Sequence, residues 1–283
     1  MVVNPISGAV DKAEFIEATT LFVKNLGKKL ILYMTSGKND ISKIKALYDK
    51  YNPERIIVTG GDGTIKIVAE AMESHDVILG ILPAGSANGL AVDLNLPTSL
   101  QENLYVAFGN NYMEMDMIVI NGKKSFHLSD LGLNAELIKN YEKSSTHGFW
   151  GYILQAFTTL IDLDVPFEAT IKANNKTIKC VARMIVIANS TKYGTGVVIN
   201  PNGVMNDGKF ELVILKNLDL ILFSKIITGN IPINSEDIEI ISTSKATIKT
   251  NFPVNFQMDG EYCGVETILD INILPKKMKV AIP

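Results

Sequence analysis

The stretch "VTGGDGTIKIVAEAM", Val58 to Met72, constrains this chain more than any other. An aliphatic run ends in three glycines set around one aspartate, and a helical pattern follows at once, with Ile65, Val68, Ala69 and Met72 on one side. A strand that turns directly into a helix needs one glycine at most, so the surplus points to a ligand. The same alternation of aliphatic runs and helical patterns fills the first hundred residues and predicts a parallel α/β sheet. "MVVNP" reads as the first strand, and "DKAEFIEATTLFVKNLG" as a helix striped by Phe15, Ala18, Leu21, Phe22 and Leu26 and stopped by Gly27. "KLILYMT" is a second strand and "DISKIKALYDKY" a second helix with Asp40 as its N-cap. "RIIVTG" and "VILGILP" give a third and a fourth strand, and "SANGLAVDL" begins another helical turn.

Near Asp116 the pattern changes. Strand-like alternations take over in "MIVING", "KSFHLSDLGL", "FEATIKANNKTIKCVARMIVIANS", "KFELVILK" and "ATIKTNFPVNFQMDGEYCGVETILDINIL", with Asn174-Asn175 and Asp259-Gly260 as hairpin turns. This half reads as an antiparallel sandwich or barrel-like sheet, interrupted by one helical segment, "HGFWGYILQAFTTLIDL". The expectation is therefore a Rossmann-like three-layer α/β domain over 1–115 and an antiparallel β-sandwich over 116–283, whose last residues are free to return to the first domain. A ligand site is expected in the cleft between the two.

Several function classes fall away. A net charge of −3 gives no broad basic face, so no nucleic-acid partner is expected. The lysine pairs Lys28-Lys29, Lys123-Lys124 and Lys276-Lys277 are solvated surface or contacts for anionic headgroups. Cys180 and Cys263 alone cannot build a disulfide scaffold, and His75, His127 and His147 lack zinc-type spacing. No signal peptide and no stretch long enough to span a bilayer are visible, so the expected place is the cytoplasm, with peripheral contact at the inner face of the membrane.

Three turns fall at the carboxyl ends of the predicted strands, where an open α/β sheet keeps its ligand crevice: "NPISG", "GGDGT" and "PAGSANG". Gly60, Gly61 and Gly63 let backbone N–H groups approach a bulky anion, and Thr64 and Ser86 stand where N-caps belong. Asp62 would repel a bare phosphate, so its place beside an anion cradle implies a cation between them, most naturally Mg²⁺. Phosphoryl transfer uses this set of parts. Ordinary βα turns would explain any one of the three alone. The P-loop signature, a first-turn G-x-G-x-x-G and the protein-kinase motifs are absent.

"NPISG", "GGDGT" and "LPAGSANGLA", followed by "MDMIVING", "SDLGLNAELI", "ANSTKYGTGVVINPNGVMNDGKFELVIL" and "FQMDGE", resemble the diacylglycerol kinase catalytic domain family in order and spacing across nearly the whole chain. "GGDGT" by itself is shared with NAD kinases. The resemblance implies an ATP-dependent lipid kinase, acting on a diacylglycerol- or sphingoid-like acceptor with a free hydroxyl. It places Asn4, Pro5, Ile6, Ser7, Gly8, Thr35, Gly60, Gly61, Asp62, Gly63, Thr64, Ile65, Lys66, Gly85, Ser86 and Asn88 at ATP. Asp62 and Asp116 would organise the nucleotide's Mg²⁺ through water, and a structural magnesium would be held by the Asp207 carboxylate with the Val204 and Lys209 carbonyls. "VMNDGKF" is equally a tight turn into a strand. Glu261 is the first choice for the base that takes the acceptor proton, and Asp259 the second.

The chain departs from the family's pattern at Lys66 and Ile67, where most bacterial members carry Asn-Glu, and at Asn88-Gly89, where Asn-Asp is usual. "AGSANGLA" looks closer to the sphingosine-kinase-like form of that turn. Two other readings stay open: phosphorylation of a soluble nucleotide as in NAD kinases, and a non-catalytic nucleotide- or lipid-binding module. Phe149, Trp150 and Tyr152 either pack a helix onto the β half or form an apolar gateway for an acyl chain. A homodimer is left open too.

Overall fold

The computed structural model describes residues 1–73, 75–86, 88–133, 135, 165–192, 196–217, 225 and 236–283. The chain divides into two compact units, one built on Met1–Asp116 and Pro275–Pro283, the other drawn from 117–274.

In the first unit, β1 (Val2–Val3) lies between β2 (Tyr33–Met34) and β3 (Arg55–Gly60), and β4 (Ile78–Pro83) follows β3. Beyond β4 runs the end of the last strand, β14 (Glu261–Ala281), with Lys279 and Val280 beside Ile78 and Leu79. All of these pairings are parallel. Helices α1 (Lys12–Asn25) and α5 (Leu100–Phe108) pack over the face carrying Val3, Ile57 and Leu82, while α3 (Asp62–Met72) lies on β3 and α2 (Asp40–Tyr51) on α3. A short helix, α4 (Gly89–Asp93), follows β4. Parallel strands covered on both faces need apolar residues at successive positions, which is why "RIIVTG" and "ILGILP" carry no alternation. The N-cap of α1 is Asp11, whose Oδ1 accepts from Ala13 N at 2.9 Å, and Gly27 after its end has φ +65°.

Two local expectations are corrected. Asp40 is not the cap of α2 but its first residue; the cap is Asn39, at φ 57°. The Asp40 carboxylate turns back instead and accepts from Ser36 N at 3.0 Å, Gly37 N at 2.8 Å and Tyr33 Oη at 2.5 Å. The strand expected over "KLILYMT" is reduced to Tyr33–Met34, because β1 pairs with it only through Val2 and Val3. Strand geometry lasts only as far as its ladder.

The second unit is antiparallel. Its strands are β5 (Tyr112–Ile120, which begins in the first unit), β6 (Lys123–Ser125), β7 (Leu128–Gly132), β8 (Phe167–Ala173), β9 (Lys176–Ala182), β10 (Met184–Ala188), β11 (Phe210–Leu215), β12 (Ile238–Thr243) and β13 (Lys245–Met258). They run β12-β11-β10-β7-β13-β14, with β8 also beside the first half of β13 and β9 beside β8. Both predicted hairpin turns form. Asn174 and Asn175 have φ of 51° and 59° between paired Ala173 and Lys176. Asp259 and Gly260 have φ of 51° and 85° between paired Met258 and Glu261. Two positive φ values in a row match the twist of the flanking strands. Asn121-Gly122 makes a further such turn between Ile120 and Lys123.

Strands β10 and β11 are buried on both faces. Ile185, Ile187, Leu212 and Ile214 join Phe167, Ile171, Ile248 and Phe256 in one core, while Met184, Val186, Val213 and Leu215 join Leu128, Ile199 and Ile238 in another. Strand β8 buries Phe167, Ala169, Ile171 and Ala173 and alternates accordingly. The helical segment expected over 147–163, with Phe149, Trp150 and Tyr152, lies outside the described residues. Among the described residues, no helix is long and apolar enough to cross a membrane.

Candidate active site

In the first unit the three glycine-bearing turns come together. Gly8, at φ +57°, lies so close to the third turn that a Cβ on it would stand 2.9 Å from Ala84 O. A Cβ on Gly85 would stand 2.4 Å from Gly61 Cα, and one on Gly60 only 2.3 Å from Thr64 Oγ1. Part of the glycine surplus is thereby explained by packing, since only glycine lets these backbones touch. Hydrogen bonds fasten the cluster: Asn4 Nδ2 to Thr64 Oγ1 at 3.2 Å, Ser7 Oγ to Ala84 O at 3.2 Å, and Ala84 N to Gly60 O at 2.9 Å. Lys12, only 5% exposed, donates its Nζ to Ser7 O and Val10 O at 2.6 Å each. No motif in the sequence marks this lysine, which stands first in α1.

Helix α3 springs directly from the second turn. Its N-cap is Gly61, in extended backbone, with no side-chain cap; Thr64, expected as the cap, is the third helical residue and its hydroxyl is tucked under Gly60. The N-cap of α4 is Asn88, at φ 54°, and not Ser86, which is exposed. Asn88 closes the third turn on itself, accepting from Gly85 N at 2.7 Å and donating to Gly85 O at 2.9 Å. An uncapped helix start leaves amide donors and the positive end of the helix dipole available to an anion.

Asp62 spans two of the turns. Its Oδ2 accepts from Gly89 N at 2.7 Å and its Oδ1 from Leu90 N at 3.0 Å, so the carboxylate caps α4. Asp116 is 1% exposed and its Oδ1 accepts from Lys276 N at 2.8 Å, holding that residue in the left-handed region at φ 54°. Of the other expected nucleotide contacts, Pro5, Ile6, Gly8 and Gly63 are exposed in or beside the turns, and Lys66 is half-buried on α3. Ile65 points into the core at 2% exposure and spends its N–H on Gly61 O, and Thr35, at the end of β2, donates its N–H to Val3 O.

No group of three or more His, Cys, Asp or Glu among the described residues could hold a metal by itself. A magnesium ion carried by phosphates needs only one or two carboxylates, often through water; the candidates for that lesser demand are Asp62, whose oxygens accept from Gly89 N and Leu90 N, and Asp116, whose Oδ1 accepts from Lys276 N. Asp207 lies in an exposed turn before β11, where its Oδ1 accepts from Lys209 N at 2.9 Å; Val204 is exposed as well.

In the second unit the two candidate bases differ sharply. The Asp259 carboxylate accepts from Ser125 Oγ at 2.9 Å, Phe126 N at 3.1 Å and His127 N at 3.0 Å. Glu261, the first residue of β14, is exposed, and no hydrogen bond to its carboxylate occurs among the described residues. Three donors hold the Asp259 carboxylate in a fixed place, whereas Glu261 keeps its lone pairs for a partner from solution.

Residues 1–120 match the family model described as the diacylglycerol kinase catalytic domain, and residues 131–282 the model described as the YegS C-terminal NAD kinase beta sandwich-like domain. The chain is 26% identical over 286 residues to the "Probable lipid kinase YegS" of Salmonella typhimurium, covering 97% of this chain and 93% of that protein. It is 27% identical over the same span to the protein of that name from Salmonella arizonae, with the same coverage. A crystal structure from Bacillus anthracis str. Sterne shares the fold with a TM-score of 0.82 at 20% identity, covering 100% of this chain and 96% of that one. Another from that organism, described as a diacylglycerol kinase, gives 0.78 at 17% identity, covering 100% and 95%.

Proposed function

Since the chain belongs to the kinase family that joins a diacylglycerol kinase catalytic domain to a YegS-type β-sandwich-like domain, we propose that it transfers the γ-phosphoryl group of ATP to the hydroxyl of a lipid. The observation that carries this reading is the convergence of three glycine turns on the uncapped start of α3. Backbone amides at that start, with Asn4, Ser7 and the Gly60–Thr64 turn around them, suit a polyphosphate. Asp62 and Asp116 would hold Mg²⁺ through water, and the ion would supply charge neutralisation on the phosphates. Glu261 takes the proton from the acceptor hydroxyl, leaving an oxygen nucleophile for the γ-phosphorus; Asp259 anchors the turn that carries it. The names of the Salmonella relatives support a lipid acceptor. A cytoplasmic enzyme meeting its substrate at the membrane face is part of the same proposal.

The test is an assay with γ-labelled ATP against total lipid extract, NAD and water, with products identified by mass spectrometry. A labelled lipid is the expected product. Label in NADP alone would replace the reading with a soluble acceptor, and tight Mg·ATP binding without any labelled product would replace it with a binding module.

A further inference from the structure

One pair of side chains in the core of the second unit has no place in the reaction as described. Asp130 on β7 is fully buried, and Gln257, directly opposite it on β13, is 1% exposed. Gln257 donates its Nε2 to Asp130 Oδ2, and its Oε1 accepts from Gly260 N at 2.8 Å. A carboxylate on one rung of the sheet thus reaches, through one amide, the turn that precedes Glu261. Burying a carboxylate and a carboxamide is costly, and apolar residues of similar size commonly hold such a place as well or better. Packing alone does not account for the pair.

We propose that Asp130 and Gln257 are positioning residues that clamp the Asp259–Gly260 turn and thereby aim Glu261. The Gly260 N–H can only donate, so it holds Oε1 toward itself, and Nε2 then faces Asp130, whose Oδ2 accepts from it. The Ser125, Phe126 and His127 donors grip the turn's other residue, Asp259, so both of its residues are tied to the sheet from separate sides. The resulting loss of freedom leaves Glu261 at one bearing. The inference rests on Glu261 as the base, and its test has a readout that does not depend on turnover.

Three variants are compared with the unmodified chain: Gln257→Leu, the swap Asp130→Asn with Gln257→Glu, and the apolar pair Asp130→Leu with Gln257→Leu. The readouts are hydrogen exchange at the Gly260 amide, kcat with KM for ATP, and Tm. The expected pattern is loss of Gly260 protection and a fall in kcat of about 10²-fold at unchanged KM in Gln257→Leu, because misplacing a reacting group by about 1 Å costs on that order. The swap keeps one donor facing one acceptor and an acceptor toward Gly260 N, so it keeps both readouts. The apolar pair keeps Tm, yet loses protection and turnover. Full activity in the apolar pair, or unchanged Gly260 protection in Gln257→Leu, overturns the clamp. If the unmodified chain phosphorylates no lipid, the kinase reading fails, and the clamp stands or falls on the amide exchange and its retention in the swap.

Discussion

At the scale of single residues, hydrogen-bond partners divide the two candidate bases. Asp259 and Glu261 stand two apart in "MDGE", and nothing in that spacing tells which is held and which is free. The fold separates them by hydrogen bonding, and the expected outcome follows. Glu261→Gln should lower kcat by about 10²–10⁴-fold, the usual worth of a general base, with Mg·ATP affinity from calorimetry unchanged. Asp259→Asn should instead lower both stability and kcat, because it weakens three hydrogen bonds on the turn. Asp40 illustrates a different hidden role. Burial pushes its carboxyl up, but the Tyr33 hydroxyl, Ser36 and Gly37 N–H groups and the Ser36 hydroxyl outweigh that and hold it below its ordinary value. The Tyr33 hydroxyl is pushed up to about 12, by burial first and by Asp40 second. A depressed carboxyl stabilises the fold above its unfolded pKa, about 3.9, and that stabilisation drains away as pH falls through the folded value. The gap in urea midpoint between the unmodified chain and Asp40→Asn should therefore be full at neutral pH and close in acid. A gap that persists unchanged in acid, as far down as the fold survives, would show the hydrogen bonds act without charge.

At the scale of elements, "RIIVTG", "VILGILP" and the alternating "FEATIKA" were legible because each carries the burial pattern of its sheet position. The helix starts were legible only to within a few residues. At α3 and α4, contact between turns decided the caps, which sequence-local preference cannot see. The second strand was misjudged in length for a related reason: β3 spans six residues, whereas its neighbour β1 pairs only with Val58 and Thr59. A cavity of about 690 Å³ lies beside this short ladder, lined by Val2, Leu30, Ile31, Ile56 and Ile57 among others.

At the scale of the whole molecule, the change of pattern near Asp116 marks the two-part α/β and β organisation, and the return of the last residues to the first unit, which the sequence leaves open, is made by the end of β14. "KMKV" looks like any strand end, yet it lies beside β4 and belongs to the unit that opens the chain. Removing 275–283 should therefore abolish Mg·ATP binding, read by calorimetry, even though every glycine turn is left intact. Retained affinity would show that the first sheet stands without that strand. The arrangement also sets a timetable for synthesis. A ribosome delivers the nucleotide turns early, but the flank of β4 is covered only when the last residues emerge, so a stalled nascent chain would display a bare strand edge open to chaperones or to mispairing.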